Sequence, residues 1–171
     1  PQYARCGQSS ETPDRVLGYI REQRCMLAPT VRQVVDHLGG TLFSSSDIQE
    51  QKLIEHFLIG GLILEWGGNY FGRLPNQAVI VRGGRTDIQM SALNFPLSCM
   101  ILTDCDTPAQ YVHQRAESQD VPLLVVPMTT METMEALETI QDRASSAHLE
   151  KAEQFAMVLT SCVDWSSVDG P

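Results

Sequence analysis

Arginine, glycine, threonine and aspartate fall together in one short stretch, Arg82-Gly83-Gly84-Arg85-Thr86-Asp87, and the grouping has a definite chemistry. Two guanidiniums offer forked N–H donors to an oxyanion, glycines leave backbone amides unshielded, and a following helix aims its own free amides at the same place. That is the equipment of an anion-binding loop. Two further polar stretches, Thr103-Asp104-Cys105-Asp106 and Pro127-Met128-Thr129-Thr130, leave apolar runs in the same way. Thr103, Asp104, Thr129 and Thr130 therefore join Arg82, Gly83, Gly84, Arg85, Thr86 and Asp87 as candidate ligand-binding residues. A plainer reading stays open for the first loop: the glycines only turn the chain from strand to helix, and Asp87 neutralises Arg85. The acidic loop can clamp a hydroxylated ligand, pair with an arginine or simply be solvated.

Other chemistries lack their residues. Neither Lys52 nor Lys151 follows a glycine loop, which excludes P-loop nucleotide hydrolysis. There is no G-x-S-x-G and no H-E-x-x-H, and His37, His56, His113 and His148 are too dispersed for a metal cluster. His113 is expected on a helix flank. Cys105, just past a strand end, is the one candidate nucleophile, and no base is paired with it. No catalytic residue, no metal and no cofactor is therefore expected. Cys6, Cys25, Cys99, Cys105 and Cys162 are odd in number and contain no C-x-x-C, a usage that suits a reducing compartment.

These loops have to be held by something, and from residue 77 the pattern is regular. Ala78–Val81, Cys99–Leu102 and Leu123–Val126 are short aliphatic runs separated by helix-length stretches, a β-α-β-α alternation. Thr41–Phe43 and Phe57–Leu62 read as two more strands, the second with Gly60-Gly61 in it. Thr30 with Gln33 makes a capping box for a helix stopped by Gly39, and Thr86 with Gln89, Thr107 with Gln110 and Thr129 with Glu132 repeat the device. The apolar faces expected are Ile88 and Ala92; Ala109, Val112 and Ala116; and Met131, Met134, Leu137 and Ile140. Strands that are apolar throughout need cover on both sides, so the expected fold is a three-layer α/β/α domain with a mostly parallel sheet. In such sheets ligands sit beyond the carboxyl ends of the strands, where the three loops lie. Residues 1–14 read as a linker or arm, 15–145 as the domain, and 146–171 as a C-terminal helix and tail. Leu149, Ala152, Phe155, Ala156 and Leu159 share one side of that helix, which caps the domain or packs on a partner.

At 171 residues the chain has the size of one domain, and its 43% hydrophobic content builds a core without disulfides. Twelve basic against twenty-one acidic residues give a charge of −9. That balance opposes nucleic acid and anionic membrane surfaces, and no basic patch overrides it. The apolar runs fall well short of the ~20 residues of a spanning helix, so no membrane is expected and the cytoplasm is the expected location. A chain opening on Pro1 without a Met is expected to be a processed form or the tail of a longer polypeptide.

The stretch Val79-Ile80-Val81-Arg82-Gly83-Gly84-Arg85-Thr86-Asp87-Ile88-Gln89, then Met100-Ile101-Leu102-Thr103, then Val121-Pro122-Leu123-Leu124-Val125-Val126-Pro127 resembles the DRTGG domain family. That family's pattern is an apolar strand running into Gly-Gly-Asp-Arg-x-Asp-Ile and a helix, an Ile-Leu-Thr strand end, and a Val-Pro-led final strand. His56-Phe57-Leu58-Ile59-Gly60-Gly61 resembles a segment of members fused to a BioD-like P-loop domain, often labelled phosphotransacetylase-family proteins. The similarity runs over roughly residues 15 to 145. Where the family has Gly-Asp before the arginine, this chain has Gly83-Gly84 before Arg85, and Arg82 replaces a small residue.

The resemblance implies a DRTGG-like three-layer fold, an accessory role beside catalytic domains, a homodimer, and a BioD-like P-loop domain or other protein as partner. The expected function is a non-catalytic regulatory or ligand-sensing domain that binds a small anionic metabolite or nucleotide at the strand-end loops. The alternative is a structural oligomerisation or partner-docking module without ligand. Acyl or phosphoryl transfer is a remote third reading, carried only by the family label.

Overall fold

Short runs of β-branched and aliphatic residues become strands where successive side chains find buried faces, and in this protein both faces of the sheet are buried. The computed structural model describes residues 19–43, 46–61 and 70–163. In chain order the described elements are α1 (Arg24–Leu27), α2 (Val31–Leu38), β1 (Thr41–Phe43), α3 (Asp47–Glu50), β2 (His56–Ile59), β3 (Gln77–Arg82), α4 (Thr86–Ala92), β4 (Cys99–Thr103), α5 (Gln110–Ser118), β5 (Leu123–Val125), α6 (Thr130–Leu137), a 3₁₀ turn (Ile140–Arg143) and α7 (Leu149–Cys162). The strand expected at 57–62 is found as β2 over His56–Ile59; Gly60 and Gly61 lie past its end, and residue 62 lies outside the described residues.

The strands form one sheet in the order β1-β5-β4-β3-β2. β2, β3, β4 and β5 run parallel, and β1 closes one edge antiparallel to β5. Val79, Val81, Met100, Leu102, Leu123 and Val125 pack with Ile88 and Ala92 of α4 and Val112 and Ala116 of α5. The alternate residues Ala78, Ile80, Cys99, Ile101 and Leu124 pack with Val31, Val34 and Leu38 of α2 and Leu137 of α6. The expected α/β/α layering is therefore present, with α4 and α5 on one face and α2 and α6 on the other. The β3-α4-β4-α5-β5 path steps one way across the sheet, which keeps α4 and α5 on a common face. After β5 the chain changes face, and α6 begins at the C-terminal edge on the opposite side.

Two of the four expected capping boxes are formed. Thr30 and Gln33 cap α2, which Gly39 closes at φ +63°, and Thr129 and Glu132 cap α6. The other two are corrected. α4 has Arg85 at its N-cap with Thr86 already helical, because the Gln89 side chain donates to the carbonyls of Arg82 (2.7 Å) and Gly83 (3.1 Å) instead of answering Thr86. α5 has Ala109 at its N-cap, not Thr107, because the chain leaving β4 first passes through a left-handed turn at Asp104, whose N–H is tied to the Met128 carbonyl at 3.2 Å.

Two apolar faces also differ from expectation. Met134, Leu137 and Ile140 pack on the core as expected, but Met131 is 69% exposed, since the first turn of α6 overhangs the sheet edge, and Thr133 is buried as well. In α7 the one buried residue is Lys151, whose Nζ donates to the carbonyls of Met26 (3.2 Å) and Ser145 (2.7 Å), while Leu149 and Phe155 are exposed. His113 lies on α5 as expected, edge-on to Phe43.

Candidate ligand cleft at the strand ends

β3 runs into its loop through a tight turn in which the Arg85 N–H reaches the Arg82 carbonyl at 3.0 Å. The Gly83 N–H donates to the Thr103 carbonyl at 2.7 Å, so that amide is committed to the sheet edge. A Cβ at Gly83 would collide with the Cβ and Sγ of Cys105, which makes glycine a packing requirement there. Nothing comes within 4 Å of a Cβ built on Gly84, and its φ is not left-handed. The paired glycines thus do different things: one permits close approach and the other leaves open space.

Each arginine already has a carboxylate. Arg82 Nε lies 3.2 Å from Asp104 Oδ2, and Arg85 grips Asp87 with two bonds, Nε to Oδ1 at 3.0 Å and Nη2 to Oδ2 at 2.9 Å. The Asp87 hydrogen bond raises the Arg85 pKa, and the same bond holds the Asp87 carboxyl below its ordinary value. Both pairs are substantially exposed, and solvent screening leaves such pairs weak. An arriving oxyanion can take over either guanidinium at small cost.

Opposite the arginines stands the start of α6. Thr129 accepts the Glu132 N–H at 3.3 Å, and the Glu132 carboxylate accepts the Thr129 N–H and hydroxyl, each at 2.8 Å. Those bonds, the backbone one first, hold the Glu132 carboxyl below the usual range. Thr103 is fully buried, with its hydroxyl 2.9 Å from that of Thr130.

Between these walls lies an open cleft of about 460 Å³. Arg82, Arg85, Thr129 and Thr130 line it, as do Ile59, Gly60, Gly61, Ile80 and Met131. Of the ten residues singled out in the sequence, four are thus brought together. Thr103 stands behind the cleft and supports Thr130, Asp87 and Asp104 balance the arginines, and Gly83, Gly84 and Thr86 shape the turn. The β2 side of the cleft and Met131 were not anticipated as site residues. The Ile59-Gly60-Gly61 run was visible, but its place beside Arg82 depends on the pairing of β2 with β3.

Cys105 is no activated nucleophile: burial, then Asp106 and Asp104, push its thiol pKa up. Among the described residues no group of three or more His, Cys, Asp or Glu side chains is placed to hold a metal ion. No described helix is long and apolar enough to cross a membrane.

A mostly parallel α/β/α domain with an arginine-bearing cleft at its strand ends is the class that fold and site define. The DRTGG domain model matches residues 33–140, and the chain belongs to the DRTGG domain family. Among solved structures it is similar to the CBS and DRTGG domains of the regulatory region of Clostridium perfringens pyrophosphatase, crystallised with its activator diadenosine tetraphosphate. The two share 12% identity at a TM-score of 0.60, over 82% of this chain and 66% of that one. At this identity the likeness is one of fold, and this chain spans just under two thirds of the other.

Proposed function

We propose that this protein is a regulatory, ligand-sensing domain that takes a small anionic metabolite in the strand-end cleft and reports its presence to an attached or associated protein. The observation that carries the reading is the meeting of Arg82 and Arg85 with the Thr129-Thr130 start of α6 around one cleft of ligand size. Its place at the carboxyl ends of parallel strands is where open α/β sheets bind ligands. The similar fold in the regulatory region of a nucleotide-activated pyrophosphatase supports the same class of role. The domain proper is taken as residues 15–145, with 146–171 appended to it, and the cytoplasm as its location.

The test is calorimetric titration of phosphate, acetyl phosphate and adenine nucleotides into the parent and the Arg82→Ala/Arg85→Ala variant. Binding by the parent and its loss in the variant support the cleft. A parent that binds none, or a variant that binds as well, removes it.

A specific observation favours a second reading. Both guanidiniums are already held, by Asp104 and Asp87, as they would be in a loop that only turns the chain. In that case the domain works by oligomerisation or by docking a partner such as a BioD-like P-loop domain. Homodimerisation belongs to either reading. A light-scattering mass of one 19.0 kDa chain at micromolar concentration would count against the dimer.

A further inference from the structure

We infer that the cleft accommodates a nucleoside monophosphate, its phosphate on Arg82 and Arg85 and its flat base against Ile59 and Met131. This rests on the anion-sensing reading and adds the half of the ligand that the arginines do not specify.

Strand register arranges the two halves. Ile59 and Ile80 are partners across the parallel β2–β3 pair, so their side chains leave the same face of the sheet. Arg82 is two residues further along β3 and points to that face as well, about 6.6 Å beyond the isoleucine row. That offset is the reach of one pentose between a base and its phosphate. Beside it Gly61 carries no side chain, and nothing lies within 4 Å of where one would begin. The floor is therefore apolar at one end, bare in the middle and cationic at the rim.

Met131 completes the apolar end. It is 69% exposed, and Ile59 is 43% exposed, so two large apolar side chains stay open to solvent around one cleft. A thioether is soft and polarizable and packs well on an aromatic ring, and bare glycine backbone admits a flat face closely. The volume of about 460 Å³ lies in the range of small-molecule pockets and is far more than an inorganic anion fills.

Charge argues for a single phosphate. The loops 82–87 and 103–106 carry two arginines, Arg82 and Arg85, against three aspartates, Asp87, Asp104 and Asp106, which leaves them net negative. A triphosphate would meet that field as well as the −9 of the whole chain, whereas one phosphate can be met by two forked donors.

The experiment is calorimetry on the 171-residue protein with AMP, UMP, ATP, ribose 5-phosphate and inorganic phosphate, repeated with Met131→Ala and Ile59→Ala. Both side chains are exposed, so their truncation leaves the core intact, which matching unfolding curves would verify. AMP and UMP should bind at least tenfold tighter than ribose 5-phosphate and tighter than ATP. Either truncation should remove most of that margin while leaving ribose 5-phosphate unchanged. If ribose 5-phosphate binds as well as AMP, or the truncations leave the margin intact, the base site is wrong and the anion-sensing reading survives. If ATP binds tighter than AMP, the preference for one phosphate is wrong. If no ligand in the series binds, both readings fail.

Discussion

Along β3, exposure runs from nothing at Ala78, Val79 and Ile80 to open solvent at Arg82, within four residues of one strand. The interior stretch is fixed by packing against helices on both faces, and a change of one methyl group there is felt. At the rim the two arginines are held only by exposed ion pairs, which tolerate rearrangement, while the buried Gln89 and the close approach of Gly83 to Cys105 fix the turn beneath them. Stability and ligand chemistry are therefore separated along the same strands, and substitutions in the two regions should have opposite profiles.

The largest contrast is expected between Ile101→Ala and Arg82→Ala. Ile101 is fully buried in β4, and truncating it should cost about 2–5 kcal/mol in urea unfolding. Arg82→Ala should stay within about 0.5 kcal/mol, as exposed positions do. A similar cost for both would dissolve the distinction between interior and rim.

The neighbouring glycines sharpen it within the rim itself. Gly83→Ala drives a methyl group into Cys105 and should destabilise by about 1–3 kcal/mol. Gly84→Ala meets nothing within 4 Å and should be neutral, or stabilising by up to about 1 kcal/mol. Equal effects would mean that the turn does not bring Gly83 against Cys105.

The helix starts supply a smaller contrast. Thr129→Ala should cost about 1 kcal/mol because the capping box of α6 is formed, whereas Thr107→Ala should cost nothing measurable by removal of a cap. Glu132 adds a pH signature. Its folded-state pKa is depressed, so its contribution is present above the ordinary carboxylate value and is lost as pH falls through the lowered one. The gap between Thr129→Ala and the parent should therefore narrow in acid. Last, Asp87→Asn frees Arg85 from its bidentate partner and should raise anion affinity severalfold with little change in stability.

Much of the interior was readable because its signals are local. Runs such as Ala78–Val81 and Cys99–Leu102 declare strands buried on both faces, and a Thr answered by Gln or Glu declared α2 and α6 correctly. The same pattern misled at α4 and α5, where sequence spacing carries no information about the turns that precede a helix. At α4 the expected cap partner Gln89 is drawn back onto the strand-end carbonyls. α3 went unread although Ser46 and Gln49 form a full box, because only four residues follow and no apolar period announces them.

The rim was readable in its charges and not in its walls. Arg82, Arg85, Thr129 and Thr130 share loops whose position follows from strand direction. Ile59, Gly61, Ile80 and Met131 join them through strand register and the overhang of α6, which are properties of the assembled sheet.

The most direct measurement is a two-dimensional NMR titration of the 19.0 kDa protein with AMP, following the Arg82 and Arg85 Nε–Hε signals together with the Gly61, Thr130 and Met131 amides. These signals should move together along one saturable curve, while the Met100, Ile101 and Leu102 amides of β4 stay still. Shifts confined to other surfaces, or no saturable shift at either arginine, would contradict a ligand cleft at the strand ends.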